Sequence, residues 1–298
     1  MQTSYGLKNA YFNCVDTFCN VHDLSYNQTP TKQLDGLLSE WGALKNLLSG
    51  VNEVNLSCAY PENVHSVLKK YNMQGLPVVE AKYATQNGFK NAILHIKNVL
   101  ELSENELSEI SMYSGQNKLP VLITYGRTLY EMGTIDKTYN LSPARFLEEL
   151  GFLDRNCLIL GGNYLDKDDL EILSNYDTKL ALTPQSDSFK GRGAINLSPL
   201  LSKGIDFTFA SDDFPFVNML AELNLASSQT ANAMLDAEVA NREELFESIT
   251  STKSLKLDFN ERNIEKSVLS NALPRVELDE KYVARLAELE EQILKEIK

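Results

Sequence analysis

The 298-residue sequence predicts a single α/β domain folded as a (β/α)8 TIM-like barrel with a C-terminal helical extension. Eight short β-like runs alternate with helical patterns along the chain. These runs are almost continuously apolar, as in parallel strands that helices cover. No G-x-G-x-x-G motif follows the first run, which weakens the alternative of an open doubly wound sheet.

The eight predicted strands are short and separated by helical patterns. They span residues 11–18, 51–58, 76–83, 92–97, 119–125, 157–161, 179–183 and 205–211. Helical patterns occupy residues 31–50, 61–71, 103–114, 142–151, 166–176 and 198–204.

Capping signals mark several helix ends. Ser103 is followed three residues later by Glu106, which is the pattern of a capping box. Ser142 precedes Pro143, so a capping residue stands before a proline at the first helical position. Glycines follow three helical patterns, where a left-handed residue often ends a helix: Gly50, Gly151 and Gly204.

From residue 216 onward the sequence predicts helices only. We divide the chain into a barrel at residues 1–260 and a helical tail at residues 261–298. The tail has an apolar stripe at helical spacing, which packs on the barrel itself or mediates self-association. The stripe comprises Leu278, Tyr282, Leu286, Leu289, Ile293 and Ile297.

Composition excludes several classes of protein. The formal net charge of −13 disfavours binding to nucleic acid or to anionic membranes. The four cysteines form neither a CxxC pair nor a zinc-finger spacing, which is typical of a reducing compartment. No signal peptide or membrane span is evident, so we expect a cytoplasmic protein.

The central part of the sequence carries a series of motifs in a recognisable order. They include "FLEELGFL", "LTPQSD", "KGRG", "LLSKGI" and "FASDD". This series resembles the metal-dependent amidohydrolase superfamily, closest to its aminofutalosine, S-adenosylhomocysteine and chlorohydrolase-like deaminases. Those proteins show LxxLGxL, CPxSN, a G-x-G turn, LLxxGV and GTD in the same order. The resemblance covers about residues 120–223 and implies a barrel, here without the small β-sandwich of the family.

The resemblance also implies where a metal site would lie. The family holds zinc or iron with an HxH pair after strand one, histidines after strands five and six, and an aspartate after strand eight. The HxH pair falls on Phe18 and Asn20, or on Cys19 and Val21, depending on the register. Neither register contains a histidine.

The later ligand positions are mostly changed as well. Thr124 and Gly161 stand where the family has metal-binding histidines, and Arg127 stands where it has a proton-shuttling glutamate. Asp212 is retained after strand eight. A substrate-contacting histidine after strand four would fall near Lys97, two residues from His95. We therefore expect no metal and no other cofactor.

Polar residues at the predicted strand ends form the candidate site. Asp212 is the catalytic candidate if the protein is active. We expect Arg127 to reach Asp212 or Asp213, because a guanidinium can neutralise a carboxylate that a metal no longer compensates. The ligand-binding candidates are His22, Asp23, Lys97, Thr124, Arg127, Tyr164, Asp187, Arg192 and Asp213, and Tyr125 is also expected at the mouth.

Three functions remain open. The main hypothesis is a barrel that binds a small polar or nucleoside-like ligand, or another protein, without catalysis. The first alternative is an amidohydrolase or deaminase acting on a nucleoside-like or amide substrate through Asp212. The second is a regulatory or structural subunit that forms a homodimer or pairs with an active barrel through the tail. A Cys19–His22–Asp23 triad is disfavoured because these residues are too close in sequence for triad geometry.

Overall fold

The computed structural model describes residues 7–241, 245–250 and 280–297. Eight parallel strands lie side by side in chain order. They are β1 (Leu7–Phe12), β2 (Val51–Ser57), β3 (Pro77–Glu80), β4 (Ile93–Ile96), β5 (Val121–Tyr125), β6 (Cys157–Gly161), β7 (Lys179–Leu182) and β8 (Phe207–Phe209).

The sheet closes on itself between its first and last strands. Phe12 forms a parallel bridge with Asp212. The Asp212 amide donates to the Tyr11 carbonyl at 3.1 Å, and the Asn13 amide donates to the Asp212 carbonyl at 3.0 Å. These contacts join the ends of the sheet and confirm the predicted (β/α)8 barrel.

Helices connect successive strands around the barrel, and further helices follow β8. They are α1 (Cys14–His22), α2 (Lys32–Leu48), α3 (Pro61–Lys70), α4 (Ala81–Asn87), α5 (Glu104–Asn117), α6 (Leu129–Tyr139), α7 (Pro143–Glu149), α8 (Lys167–Asn175), α9 (Pro184–Phe189), α10 (Ser198–Lys203), α11 (Met219–Met234) and the C-terminal helix (Glu280–Ile297). The capping box of Ser103 and Glu106 is present as predicted. No helix in the part of the chain that the structure describes is long and apolar enough to cross a membrane.

The prediction of the first strand was wrong in position. The strand was predicted at residues 11–18, but β1 ends at Phe12 and α1 begins at Cys14. The Asn13 side chain accepts from the Asp16 amide at 3.1 Å and so caps α1. Residues 18–21, where both HxH registers were placed, therefore lie in a helix and not at a strand end.

Successive side chains along each strand alternate between two apolar layers. A large layer separates the strands from the surrounding helices. A small cluster fills the barrel interior and includes Tyr11, Ile93, Leu122 and Leu160. His95 and Thr124 follow Ile93 and Leu122 by two residues, so they point into the same interior, closer to the carboxyl ends of the strands.

The C-terminal helix packs against α2. Leu289 and Ile293 are fully buried, and the indole nitrogen of Trp41 donates to Glu290 Oε1 at 3.0 Å. Leu278 and the predicted domain boundary at residue 260 lie outside the described residues. These contacts agree with packing of the stripe on the barrel, and pairing with a second barrel remains a prediction.

Candidate functional site

An arginine lies at the centre of the carboxyl-terminal mouth of the barrel. Arg127 follows β5, and its guanidinium Nη1 donates to Asp212 Oδ2 at 2.7 Å. Its Nε and Nη2 both donate to Asp187 Oδ1, at 3.1 and 2.7 Å, and Nη2 also donates to Thr183 Oγ1 at 3.0 Å. The predicted contact between Arg127 and Asp212 is thus present, and the loops after β5, β7 and β8 meet at one cation.

This cluster is almost inaccessible to water. The side chains of Arg127, Asp187 and Asp212 are 6%, 0% and 7% exposed. Charge-assisted hydrogen bonds compensate the desolvation of a buried charge only when its donors and acceptors are paired. Thr183 completes the pairing because its hydroxyl donates to the second oxygen of Asp187 at 2.8 Å.

A third carboxylate, that of Asp213, lies next to Asp212 in the chain. Asp213 accepts from the Ser186 hydroxyl at 2.8 Å and pairs with the Lys190 ammonium group. Although burial acts to raise its pKa, Lys190, Ser186 and Arg127 together hold the pKa of Asp213 below its usual value. Asp213 is therefore ionised at neutral pH.

Asp212 is held in a different environment. Its backbone is left-handed, with φ of 49°, an uncommon conformation for a residue other than glycine. Burial raises the pKa of Asp212, although the Arg127 guanidinium opposes this shift and Asp213 adds to it. The carboxylate thus depends on Arg127 to remain ionised.

Gly161, at the end of β6, provides the space that the arginine occupies. A Cβ atom at residue 161 would lie 2.2 Å from Arg127 Cγ and 2.9 Å from Arg127 Cδ. The backbone φ of 115° also favours glycine. The arginine side chain therefore passes over the position at which the family resemblance placed a histidine.

Thr124 belongs to a separate hydrogen-bonded chain inside the barrel. Its Oγ1 lies 2.8 Å from His95 Nε2, and His95 Nδ1 lies 3.4 Å from the Tyr11 hydroxyl. Burial, together with Lys97 and Arg127, lowers the pKa of His95 to about 3. The imidazole is therefore neutral at physiological pH.

The remaining candidates are less central. His22 packs on Phe18 with ring centroids 4.4 Å apart, and its Nε2 is buried without a hydrogen-bond partner among the described residues. Asp23 is the exposed residue that ends α1, and Lys97 is exposed after β4. Burial raises the pKa of the Cys19 thiol, which opposes its use as a nucleophile.

One candidate after β6 contacts the loop with sequence KGRG, residues 190–193, and another belongs to that loop. The Tyr164 hydroxyl lies against Gly193, where an added Cβ would be 3.1 Å away. Arg192 Nη1 lies 3.7 Å from Asp187 Oδ1. Tyr125, by contrast, does not reach the mouth, because its buried hydroxyl donates to the Pro143 carbonyl at 2.9 Å.

Sequence reasoning missed several residues that contact the cluster. Thr183 and Ser186 belong to "TPQSD", which stands where the family has CPxSN. The motif was recognised in the sequence, but its hydrogen bonds with Arg127 were not predicted. Asn20 Nδ2 donates to the Asp213 carbonyl at 2.8 Å. Glu222 accepts from the Gln185 amide at 2.9 Å. Asn20, Ser186 and Glu222 come from helices, for which strand-end positions give no signal.

The donor set around Asp212 does not fit a divalent cation. Within the described ranges, no group of three or more histidine, cysteine, aspartate or glutamate side chains is placed to hold a metal ion. The Asp212 carboxylate is bonded to Arg127, and cationic nitrogen atoms cannot serve as metal ligands.

Known proteins resemble part of this chain in sequence. No family model matches it. The 5-methylthioadenosine/S-adenosylhomocysteine deaminase of Thermococcus kodakarensis is 27% identical over 168 residues, which are 55% of this chain and 40% of that protein. The corresponding deaminase of Clostridium tetani is 24% identical over 194 residues, 59% of this chain and 45% of that protein. The match thus spans less than half the length of these relatives.

Solved structures share the fold of this chain. An adenosine deaminase from Xanthomonas campestris with bound zinc has a TM-score of 0.69 and 13% identity, over 78% of this chain and 62% of that chain. An amidohydrolase from Brucella melitensis has a TM-score of 0.67 and 11% identity, over 82% of this chain and 70% of that chain. The chain is thus a sequence homologue of the 5-methylthioadenosine/S-adenosylhomocysteine deaminases, built on the (β/α)8 barrel of the amidohydrolases.

Proposed function

We propose that the barrel mouth binds a small, uncharged, nucleoside-like ligand and does not hydrolyse it with a metal-activated water. One observation carries the proposal: the Arg127 guanidinium is bonded to Asp212 and Asp187 in the buried centre of the mouth. A divalent metal would have to displace this cation and would find carboxylates already paired with cations in place of several imidazole ligands. The relatives named as deaminases support a nucleoside-like ligand.

The charge of the cluster supports an uncharged ligand. Three carboxylates and three cations lie together, so their formal charges cancel: Asp187, Asp212 and Asp213 against Arg127, Lys190 and Arg192. A charged ligand would lose its hydration without gaining an uncompensated partner. A neutral ligand with hydrogen-bonding groups avoids this cost.

Exposed aromatic rings beside the cluster support a planar ligand. Phe189 and Phe216 are 66% and 68% exposed, and each packs edge to face with Phe214. Phe189 adjoins Lys190 and Phe214 adjoins Asp213 in the sequence. An offset or edge-to-face contact with such rings stabilises a bound heteroaromatic base.

Calorimetry, metal analysis and an activity assay test the proposal together. The probes are 5-methylthioadenosine, S-adenosylhomocysteine and, as a charged comparison, adenosine monophosphate. We expect 5-methylthioadenosine to bind more tightly than adenosine monophosphate, without deamination and without stoichiometric zinc, iron or nickel. Turnover that requires a stoichiometric metal contradicts the proposal.

Deaminase-type hydrolysis through Asp212 is the second candidate. The specific observation in its favour is that the sequence relatives are named deaminases, and Asp212 keeps its place after β8. The assay above should be repeated with Asp212→Asn. Ammonia release by the wild-type protein that disappears in this variant supports hydrolysis, whereas no release from either protein supports binding alone.

The binding partners and the cellular location of the protein also remain predictions. The net charge of −13 supports the expectation that neither nucleic acid nor a membrane is a partner. We keep the prediction of a cytoplasmic protein. Co-purification with an active deaminase, and its loss on removing residues 276–298, would support the alternative of a regulatory subunit.

A further inference from the structure

Three side chains from different strands form a hydrogen-bonded chain that ends at the barrel mouth. Tyr11 on β1 and His95 on β4 are 0% and 4% exposed, whereas Thr124 on β5 is half-buried. The rings of Tyr11 and His95 meet edge to face, with centroids 5.0 Å apart. The chain therefore runs from the closed interior to the Thr124 hydroxyl, which lies nearest the mouth of the three side chains.

The hydrogen-bonding capacity of each group determines which atom donates and which atom accepts in these two hydrogen bonds. The Tyr11 hydroxyl has one hydrogen to donate, and His95 Nδ1 is its hydrogen-bond partner among the described residues. Burial, Asp212 and other nearby acids raise the pKa of Tyr11 well above its usual value, so the hydroxyl keeps this hydrogen. His95 Nδ1 is then an acceptor.

The second imidazole nitrogen must carry the hydrogen of the neutral ring. An imidazolium is disfavoured here, because both ring nitrogens face hydroxyl groups and no carboxylate compensates the charge. His95 Nε2 therefore donates to Thr124 Oγ1 across 2.8 Å. The hydrogen of the Thr124 hydroxyl is left without an acceptor within the described part of the protein.

We propose that Tyr11 and His95 are positioning residues that make the Thr124 hydroxyl a hydrogen-bond donor to a ligand in the mouth. The ligand group it recognises is an uncharged acceptor, such as a carbonyl oxygen or a ring nitrogen. This inference rests on the proposed function, since it assumes that the mouth binds a ligand. It assigns Thr124 the role of fixing the ligand's orientation.

The hydrogen positions can be tested without any ligand. Long-range ¹H–¹⁵N correlation spectra of the full chain report the tautomer of each of its three histidines. His22→Gln and His65→Gln variants assign the signals. We expect His95 to carry its hydrogen on Nε2 at neutral pH and to shift toward the Nδ1 tautomer in Tyr11→Phe. An Nδ1 tautomer or an imidazolium in the wild-type protein overturns the inference.

Calorimetry with 5-methylthioadenosine as the probe tests the role in binding. Thr124→Val removes the hydroxyl at nearly constant volume, and we expect about tenfold weaker binding. Thr124→Ser should bind within about twofold of wild type, because it keeps the donor. Tyr11→Phe should weaken binding although Tyr11 is buried below the mouth. Thr134→Val is the matched control, because the Thr134 hydroxyl bonds only within its own helix, to the Tyr130 carbonyl.

The possible failures are distinguishable. Wild-type affinity in Thr124→Val overturns the inference and leaves the proposed function intact. A wild-type protein that binds no probe contradicts the proposed function, while the expected His95 tautomer would still support the direction of the hydrogen bonds. Loss of binding in Thr124→Ser as well as in Thr124→Val overturns the inference, because it indicates a steric role.

Discussion

Arg127 and Arg285 each pair with carboxylates from distant parts of the chain, in opposite surroundings. Arg127 lies in the barrel mouth with its side chain 6% exposed, and it joins loops after three strands. Arg285 lies on the C-terminal helix with its side chain 30% exposed, and it donates to both oxygens of Glu40. The Arg127 network buries charged groups in the barrel mouth, whereas the Arg285 network attaches the C-terminal helix to the outer surface of the barrel.

The difference indicates which network serves a site. Hydrophobic packing already holds the C-terminal helix, because Leu289 and Ile293 are fully buried, and Arg285 adds orientation at the edge. Around Arg127, apolar side chains in place of the buried carboxylates and their cation would cost the folded protein less free energy than the buried ion pairs do. Polar clusters of this kind are concentrated at functional sites. The predictions below test this contrast.

Replacing Arg127 by methionine should have the largest effect. The variant leaves Asp187 and Asp212 buried without their cation, and we expect the free energy of unfolding at pH 7 to fall by about 3–5 kcal/mol. Urea denaturation measures this change. Arg145→Met is the control, because Arg145 pairs with Glu148 at the surface and should cost less than about 0.5 kcal/mol. Equal losses in the two variants would contradict the contrast.

Gly161→Ala should have the next largest effect, because its Cβ would overlap the Arg127 side chain. We expect a loss of about 2–4 kcal/mol from overlap and backbone strain. Gly191→Ala isolates the strain, since Gly191 has a positive φ of 64° and no atom within 4 Å of the added Cβ. It should cost about 1 kcal/mol.

The overlap can be separated from strain by a double-mutant cycle. In the Arg127→Met background, Gly161→Ala should cost less than in wild type, because the flexible methionine can move away. Urea denaturation of the four proteins gives the coupling. An unchanged cost would show that the glycine serves its own backbone and not the arginine.

Glu222→Gln tests a carboxyl group at the edge of the mouth network. Burial raises the pKa of Glu222 to about 8 from the ordinary value of 4.5. Because the folded protein holds this proton more tightly than the unfolded chain, its stabilising contribution is complete below pH 4.5 and is lost as the pH rises through about 8. The neutral variant should therefore be more stable than wild type at about pH 9, by about 1–3 kcal/mol, and similar at about pH 5. A difference that is independent of pH would contradict the raised pKa.

Arg285→Met should have the smallest effect, about 1 kcal/mol at pH 7, because the pair is partly exposed and Lys70 and Tyr71 also bind Glu40. Burial acts to raise the pKa of Glu40, but Arg285, Lys70 and Tyr71 lower it to about 2. The contribution of this carboxylate is present above pH 4.5 and is lost as the pH falls toward about 2.

Fluorescence gives a second measurement for the same variant. Trp41 is the only tryptophan and is buried beneath the C-terminal helix. Arg285→Met should leave its emission nearly unchanged, because Leu289 and Ile293 still anchor the helix. A red shift like that of the unfolded protein would show that the ion pair, and not apolar packing, holds the helix.

Local sequence patterns were sufficient to predict the order of the eight strands and one helix in most of the connections between them. Apolar periodicity and caps such as Ser103–Glu106 are local, so they can be recognised without tertiary contacts. The family resemblance placed Arg127 after the fifth strand and Asp212 after the eighth, and the opposite charges of the two side chains predicted their contact. The prediction from local patterns failed at β1, where one capping residue, Asn13, converts an expected strand into a helix.

The packing of side chains in the barrel mouth could not be predicted from local sequence patterns. Arg127 reaches Asp187 because Gly161 has no Cβ atom to block the arginine side chain. The orientation of the Thr124 hydroxyl depends on His95 and Tyr11. These partners come from separate strands that meet only when the barrel closes. Their hydrogen bonds are set by burial and by distances between strands, which local sequence patterns do not encode.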